Sequence, residues 1–218
     1  IEFSADVAQL NRGPADDPAL NGELIAQASG GLKIEFDKEL LPANAQGDAK
    51  LAVTTAQGFL EDLAGVRASL ALDVRTNEVR QMLLQVLRRD QPLGQVSVSG
   101  PMELSRPEAR LRVEMKGIDR HVLNLAGAAF GLDFGETSVS GSQLIDVSRR
   151  GQLITTKGAL NVARFSVRQG GLATPPINLD LSYQASASLE DKTSKSQEFQ
   201  LTATQEGSPI FTAALRRA

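Results

Sequence analysis

The chain has 218 residues, with 23 Lys and Arg against 26 Asp and Glu, a net charge of −3 and an isoelectric point near 5.3. This balance argues against a nucleic-acid partner, because neutralising phosphates needs a basic surface. Cysteine is absent, which excludes disulfides, thiolate metal sites and cysteine nucleophiles.

Hydrophobic residues make up 41% of the chain but aromatics only 4%, with no Trp and one Tyr. Core volume therefore has to come from Leu, Val, Ile and Ala, which suits a long thin sheet better than a thick globule. The length holds one sizeable domain or two small ones. The longest apolar stretches fall short of the roughly 20 residues that span a bilayer. The chain opens on Ile1-Glu2-Phe3, without Met or a signal peptide. It reads as a soluble segment of a larger protein, with any membrane anchor lying outside it.

In chain order, residues 1–10 alternate weakly through Phe3, Val7 and Leu10, as a strand would. Residues 11–18 form a turn-rich loop. Its Asp16-Asp17 pair lacks the ligand spacing of a calcium loop and reads as a solvated turn. Leu24–Ala28 and Leu32–Phe36 each alternate, with Gly30-Gly31 expected as the turn between them, and Lys50–Thr55 alternates again. Phe59, Leu60, Leu63 and Val66 suggest a brief helix or a turn.

The centre of the chain reads as a duplication. A shift of 41 positions lays Ser97-Val98-Ser99-Gly100 on Ser138-Val139-Ser140-Gly141. Without a gap it also lays Ala68 on Ala109, Leu70 on Leu111, Leu84 on Leu125, Gly94 on Gly135 and Leu104 on Ile145. Each copy opens with strict alternation: Leu70, Leu72 and Val74 oppose Ser69, Ala71 and Asp73, and Leu111, Val113 and Met115 oppose Arg110, Arg112 and Glu114. Period two marks a strand with one buried face. Val79, Met82, Leu83, Val86 and Leu87 then follow at helical spacing, and the second copy offers Val122–Phe130, with Asp119 as its cap and Gly131 as its stop. A second strand closes each copy. The unit predicted is strand, short helix, strand, repeated so that neighbours stack.

After residue 150 strands dominate. Gly151–Ala163 alternates and Phe165 and Val167 follow. Gly170-Gly171 and Pro175-Pro176 punctuate, and Ile177 through Leu189 alternates as one long strand. Glu190–Gln197 reads as a polar loop, followed by strands through Phe199, Leu201 and Ala203 and over Ile210–Leu215. Short connections make this an antiparallel meander. The fold class expected is mainly β with short helices (α+β), in three parts. Residues 1–66 form a strand-rich segment that reads as an eroded repeat, 67–146 hold two repeats and 147–218 the meander.

No catalytic pattern appears. His121 is the only histidine and reads as an exposed helix-face residue. There is no Gly-x-Ser-x-Gly elbow and no phosphate-binding glycine loop. Asp146, Asp180 and Asp191 lie at strand ends or loops without evident partners. The chain is read as no enzyme, with no catalytic residue, no metal and no cofactor.

Leu125-Ala126-Gly127-Ala128-Ala129-Phe130-Gly131-Leu132-Asp133-Phe134 precedes Ser138-Val139-Ser140-Gly141, and Gly151-Gln152-Leu153-Ile154-Thr155-Thr156 opens the next strand. This stretch resembles the C-terminal region of AsmA-type proteins, a bacterial envelope family related to TamB and the chorein-type bridge proteins. There a short helix leads to a glycine–leucine–x–phenylalanine step and a serine–glycine strand. The tail after Gly170 has no counterpart in that pattern.

The resemblance implies a periplasmic protein anchored to the inner membrane outside this chain. It also implies an elongated, curved antiparallel sheet whose apolar groove takes phospholipid or another acyl-chain lipid between the envelope membranes. Leu70, Leu72, Val74, Leu111, Val113, Met115, Leu179 and Leu181 are then the lipid-facing candidates. The alternative is a structural β-repeat module without a ligand, which pairs with neighbouring segments of a longer chain. In that case the predicted helices, Val79–Leu87 and Val122–Phe130, cover the apolar face.

Overall fold

The computed structural model describes residues 2–8, 22–40, 42–58, 61–103, 106–127, 132–169 and 171–216. The loop of residues 11–18, Phe59 and Leu60, Leu104, and residues 128–131 at the end of the second expected helix lie outside these.

Among the described residues one antiparallel sheet of twelve strands makes up almost the whole fold. Its strands are β1 (Glu2–Ala8), β2 (Gly22–Phe36), β3 (Pro42–Gly58), β4 (Val66–Arg75), β5 (Glu78–Arg88), β6 (Gln91–Glu103) and β7 (Glu108–Asp119), then β8 (Ser138–Ser148) and β9 (Leu153–Phe165). A two-stranded flap, β10 (Arg168–Gln169) with β11 (Leu172–Ala173), interrupts the run. The sheet resumes with β12 (Ile177–Ser188), β13 (Thr193–Gln205) and β14 (Ser208–Arg216). Every strand pairs with its neighbour in sequence, β9 and β12 being neighbours across the flap. Pairing is unbroken across residues 66–67, and β8 runs through 146–147.

The only α-helix among the described residues is α1, Arg120–Gly127, between β7 and β8. The expected strand–helix–strand repeat is therefore not the structural unit. The first copy holds three strands, β4, β5 and β6, whereas the second holds β7, α1 and β8. What matched under the 41-residue shift was the alternation of apolar residues, which any one-sided strand shares.

The segment expected as a helix over Val79–Leu87 is β5, and a β-bulge explains the misreading. Between Val79, opposite Gly100, and Met82, opposite Val98, the register slips. The bulge brings apolar residues three apart onto one face, imitating helical spacing. Beyond it Met82, Leu84 and Val86 alternate normally. Gly30-Gly31 likewise lies in the middle of β2, paired with Ala49 and Asp48; the turn comes at Asp37–Leu40, closed by Leu40 N–H to the Asp37 carbonyl at 3.2 Å. The polar stretch over Glu190–Gln197 enters β13 at Thr193.

The sheet buries little. The accessible surface of the chain is 14,080 Å², against about 9,700 Å² for a compact monomer of 23.2 kDa. Relative to an unfolded chain of about 34,000 Å², folding removes roughly 58% of the surface, the fraction usual for a domain of about 60 residues.

The packed core is gathered at one end of the strands. Leu24 and Ala26 of β2, Val53 of β3, Leu63 of a 3-10 turn (Glu61–Leu63), Val66 of β4, Val86 of β5 and Leu93 of β6 form it, with Val122 of α1 packed against them. Away from this end the described residues form one layer.

Candidate functional site

Antiparallel partners share a face, so the register maps each side chain to one side of the sheet. Starting from Leu72, opposite partners run through Met82, Val98 and Val113 to Gln143 and Gly158, and on to Tyr183, Phe199 and Leu215. The adjacent row runs from Leu70 through Leu84, Val96 and Met115 to Gly141, Leu160, Leu181 and Leu201. A further row holds Val139, Val162, Leu179, Ala203 and Phe211. All eight candidates, Leu70, Leu72, Val74, Leu111, Val113, Met115, Leu179 and Leu181, thus lie on the same side. Each is partly exposed.

Local sequence produces this face directly: alternation along every strand, kept in register by the bulges. Where β7 would fall out of step, between Met115 and Ile118, Gly117 adopts φ +55° and absorbs one residue. Its N–H donates to Ser140 Oγ at 2.9 Å. Among the described residues no Asp, Glu or Lys interrupts these rows, and Arg88 enters only at the packed end. Gln143 is the polar intrusion, and its Nε2 donates to Thr156 Oγ1 on the same face at 2.6 Å. Met82, Leu84, Leu51, Phe211 and Leu215 on this side are exposed by a third to a half. The helix spacing read over β5 hid Met82 and Leu84 from the candidate set; their alternation with Val86 was the available signal.

The opposite side is polar and tied by cross-strand pairs. Arg110 Nε meets Asp146 Oδ2 at 2.8 Å, Asn161 Nδ2 donates to Asp180 Oδ1 at 2.7 Å and Gln46 Nε2 to Asp73 Oδ1 at 3.3 Å. Asp191 Oδ2 accepts from Ser188 Oγ at 2.8 Å. Asp146, Asp180 and Asp191 therefore all have partners, contrary to the sequence reading. A depression of about 430 Å³ on this side is lined by Ser140, Ser142, Asn161, Asp180, Ser182 and Thr202. Its one carboxylate, Asp180, already accepts from Asn161. Among the described residues no group of His, Asp and Glu is arranged to hold a metal ion.

The packed end is braced by charge. Asp119 caps α1, its Oδ1 accepting from the His121 N–H at 2.9 Å. His121 is not an exposed helix-face residue: its side chain is 15% exposed and both ring nitrogens are engaged, Nδ1 with Asp119 Oδ2 at 2.9 Å and Nε2 with Arg88 Nη1 at 3.0 Å. Arginine can only donate, so Nε2 accepts and Nδ1 carries the proton. With its lone pair turned to Arg88, this imidazole is placed as a strut. Arg88 also donates from Nε to the Ala64 carbonyl at 3.2 Å and lies 3.9 Å from Asp62, joining β5, the 3-10 turn and α1.

No protein-family model matches the chain, and no curated protein or solved structure matches it either.

A second brace follows α1. Asn124 Nδ2 and the Gly135 N–H donate to Asp133 Oδ1 at 3.0 and 2.9 Å, and Asn124 Oδ1 accepts from the Phe134 N–H at 2.8 Å. Asp133 also exchanges two backbone hydrogen bonds with Arg168 of the flap. Burial alone raises the Asp133 pKa, but the hydrogen bonds from Gly135 and Asn124 and the charges of Arg168 and Arg120 outweigh it, and the net shift is downward. None of the described helices is long and apolar enough to cross a membrane.

Proposed function

We propose that the apolar face of the sheet binds acyl chains of phospholipid, in a periplasmic, AsmA-like protein that passes lipid between envelope membranes and is anchored to the inner membrane outside this chain. The observation that carries the reading is the continuity of that face: side chains on nine successive strands, joined by a charge, Arg88, at the packed end, left partly exposed and covered among the described residues by α1 and the 3-10 turn at one end. Such a surface in water is unfavourable at about 25 cal/mol per Å², and contiguous apolar patches of this kind mark interaction sites. A lipid chain needs no hydrogen-bond partner and tolerates any apolar lining, which matches a face of Leu, Val, Met and Ala. In this reading the sheet is elongated and curves around the chains, lipid headgroups stay at the rim, and neighbouring segments of a longer protein extend the surface. The protein carries and performs no chemistry.

The test is native mass spectrometry of the 218-residue chain purified from a bacterial host, with its organic extract analysed in parallel. Phospholipid should co-purify, and Val113→Glu should abolish it while circular dichroism stays β-rich, because a carboxylate in the middle of the face cannot be matched by an acyl chain. Bare protein that also fails to take up added phospholipid would sink the proposal and leave a structural module without ligand as the better account.

A further inference from the structure

The apolar side of the sheet is not uniform along its strands. Gln143 of β8, Thr156 of β9 and Tyr183 of β12 come together on it: Gln143 and Tyr183 are the two cross-strand partners of Gly158, and Thr156 lies two residues before that glycine. Gly158 makes room for the tyrosine. A Cβ there would come 3.0 Å from Tyr183 Oη and 3.1 Å from its Cζ, so the phenol ring lies across β9 with its hydroxyl over the glycine. Covering a glycine needs only the ring, which a Phe would supply. The hydroxyl adds nothing to that.

Both hydroxyls of the cluster are free to donate. Thr156 Oγ1 accepts from Gln143 Nε2 at 2.6 Å and keeps its own proton to give. Among the described residues nothing accepts from Thr156 Oγ1 or from Tyr183 Oη. All three residues are partly exposed, so water serves them while the face is bare. An acyl chain laid over them displaces that water, and plain hydrocarbon returns no hydrogen bond. The rows through and beside the cluster, from Val113 to Leu215 and from Met115 to Leu201, hold no charged side chain. A phosphate or carboxylate would therefore find no countercharge. What fits is a neutral acceptor oxygen joined to an acyl chain.

The face is graded along the strands in the same sense. From the cluster toward the α1 end, the next rows are Leu160, Leu181 and Leu201, then Val162, Leu179 and Ala203. Toward the opposite strand ends, Ala185 faces Ser196 and Ala187 faces Ser194. Hydrocarbon is matched on one side of the cluster and hydroxyls stand on the other. The ester region of a glycerolipid has the same order, between its chains and its headgroup.

We infer that Tyr183 and Thr156 donate hydrogen bonds to an ester carbonyl of a bound phospholipid, setting its chains toward the α1 end and its headgroup toward the opposite rim. This rests on the lipid reading above and adds to it a preference for ester-linked chains.

Competition between two phosphatidylethanolamines of equal chain length, one with ester-linked and one with ether-linked chains, tests it by native mass spectrometry of the full 218-residue chain. The two lipids share headgroup and hydrocarbon and differ in the carbonyls. The protein should take up the diester over the diether by about tenfold, the size expected for one or two hydrogen bonds. Tyr183→Phe combined with Thr156→Val should lower diester uptake to the diether level. Circular dichroism should stay β-rich, because Phe still covers Gly158 and Val favours a strand. A merely structural role for the two residues would weaken both lipids alike and leave their ratio where it was. Equal uptake of the two lipids by the unaltered protein, or a preference that survives in the double variant, overturns this inference and leaves the lipid reading standing. Uptake of neither lipid overturns both.

Discussion

His121 shows how a single residue gains its role from partners distant in sequence. Its neighbours on α1 gave no hint of Arg88, which lies on β5 and reaches it only because the sheet brings β5 beside the end of β7. Asp119, by contrast, was legible as a cap, since an acidic residue just before a helix and its N–H donors is a local signal. The same carboxylate serves both jobs: Oδ1 caps the helix and Oδ2 accepts from His121. Asp119→Ala removes both hydrogen bonds and should destabilise the protein by about 1–2 kcal/mol. Urea unfolding followed by circular dichroism would measure this, and an unchanged midpoint would show that the brace contributes nothing.

At the scale of elements, most strands and the helix after Asp119 were legible, and β5 was not. Alternation over β4, β7, β9 and β12 is local and survived folding, with bulges absorbing the slips in register. The spacing of Val79, Met82 and Val86 was misread because a bulge and a helix both put residues three apart on one side. The connection between β7 and β8 is held by Asp133, whose folded-state pKa is lowered on balance despite its burial. A depressed carboxylate contributes stability above its unfolded pKa, and that contribution is lost as the pH falls through the folded value. Wild-type protein should therefore be more stable than Asp133→Asn near neutrality, and the gap should narrow on acidification below about pH 4. Urea midpoints of the two proteins across this range give the answer; a gap that does not depend on pH would remove Asp133 from the account.

For the molecule as a whole, the large accessible surface has a thermodynamic consequence. Denaturant dependence scales with the surface exposed on unfolding. A chain that keeps 14,080 Å² exposed when folded uncovers roughly 20,000 Å² on unfolding, against about 24,000 Å² for a compact chain of equal mass. The urea m-value should fall about a fifth below that of a compact protein of this size. A full-sized m-value in dilute, lipid-free solution would mean that the apolar face is covered, with self-association through it the first alternative to examine.

By itself the sequence determined the strands whose alternation runs without a bulge or an internal glycine pair, and which side of each of them is apolar, because both follow from period-two alternation within a few residues of chain. It also determined that cysteine chemistry is absent and that Asp119 caps a short helix. The tertiary structure alone decided that Leu70, Val113 and Leu181 belong to one surface, since that depends on register across strands more than a hundred residues apart in sequence. It alone decided that β5 is a strand rather than a helix, and that the core lies at one end while the rest of the apolar face stays partly exposed. The physical reason is that alternation fixes a strand's two sides independently of its neighbours, whereas register, bulges and cover exist only once the strands have paired.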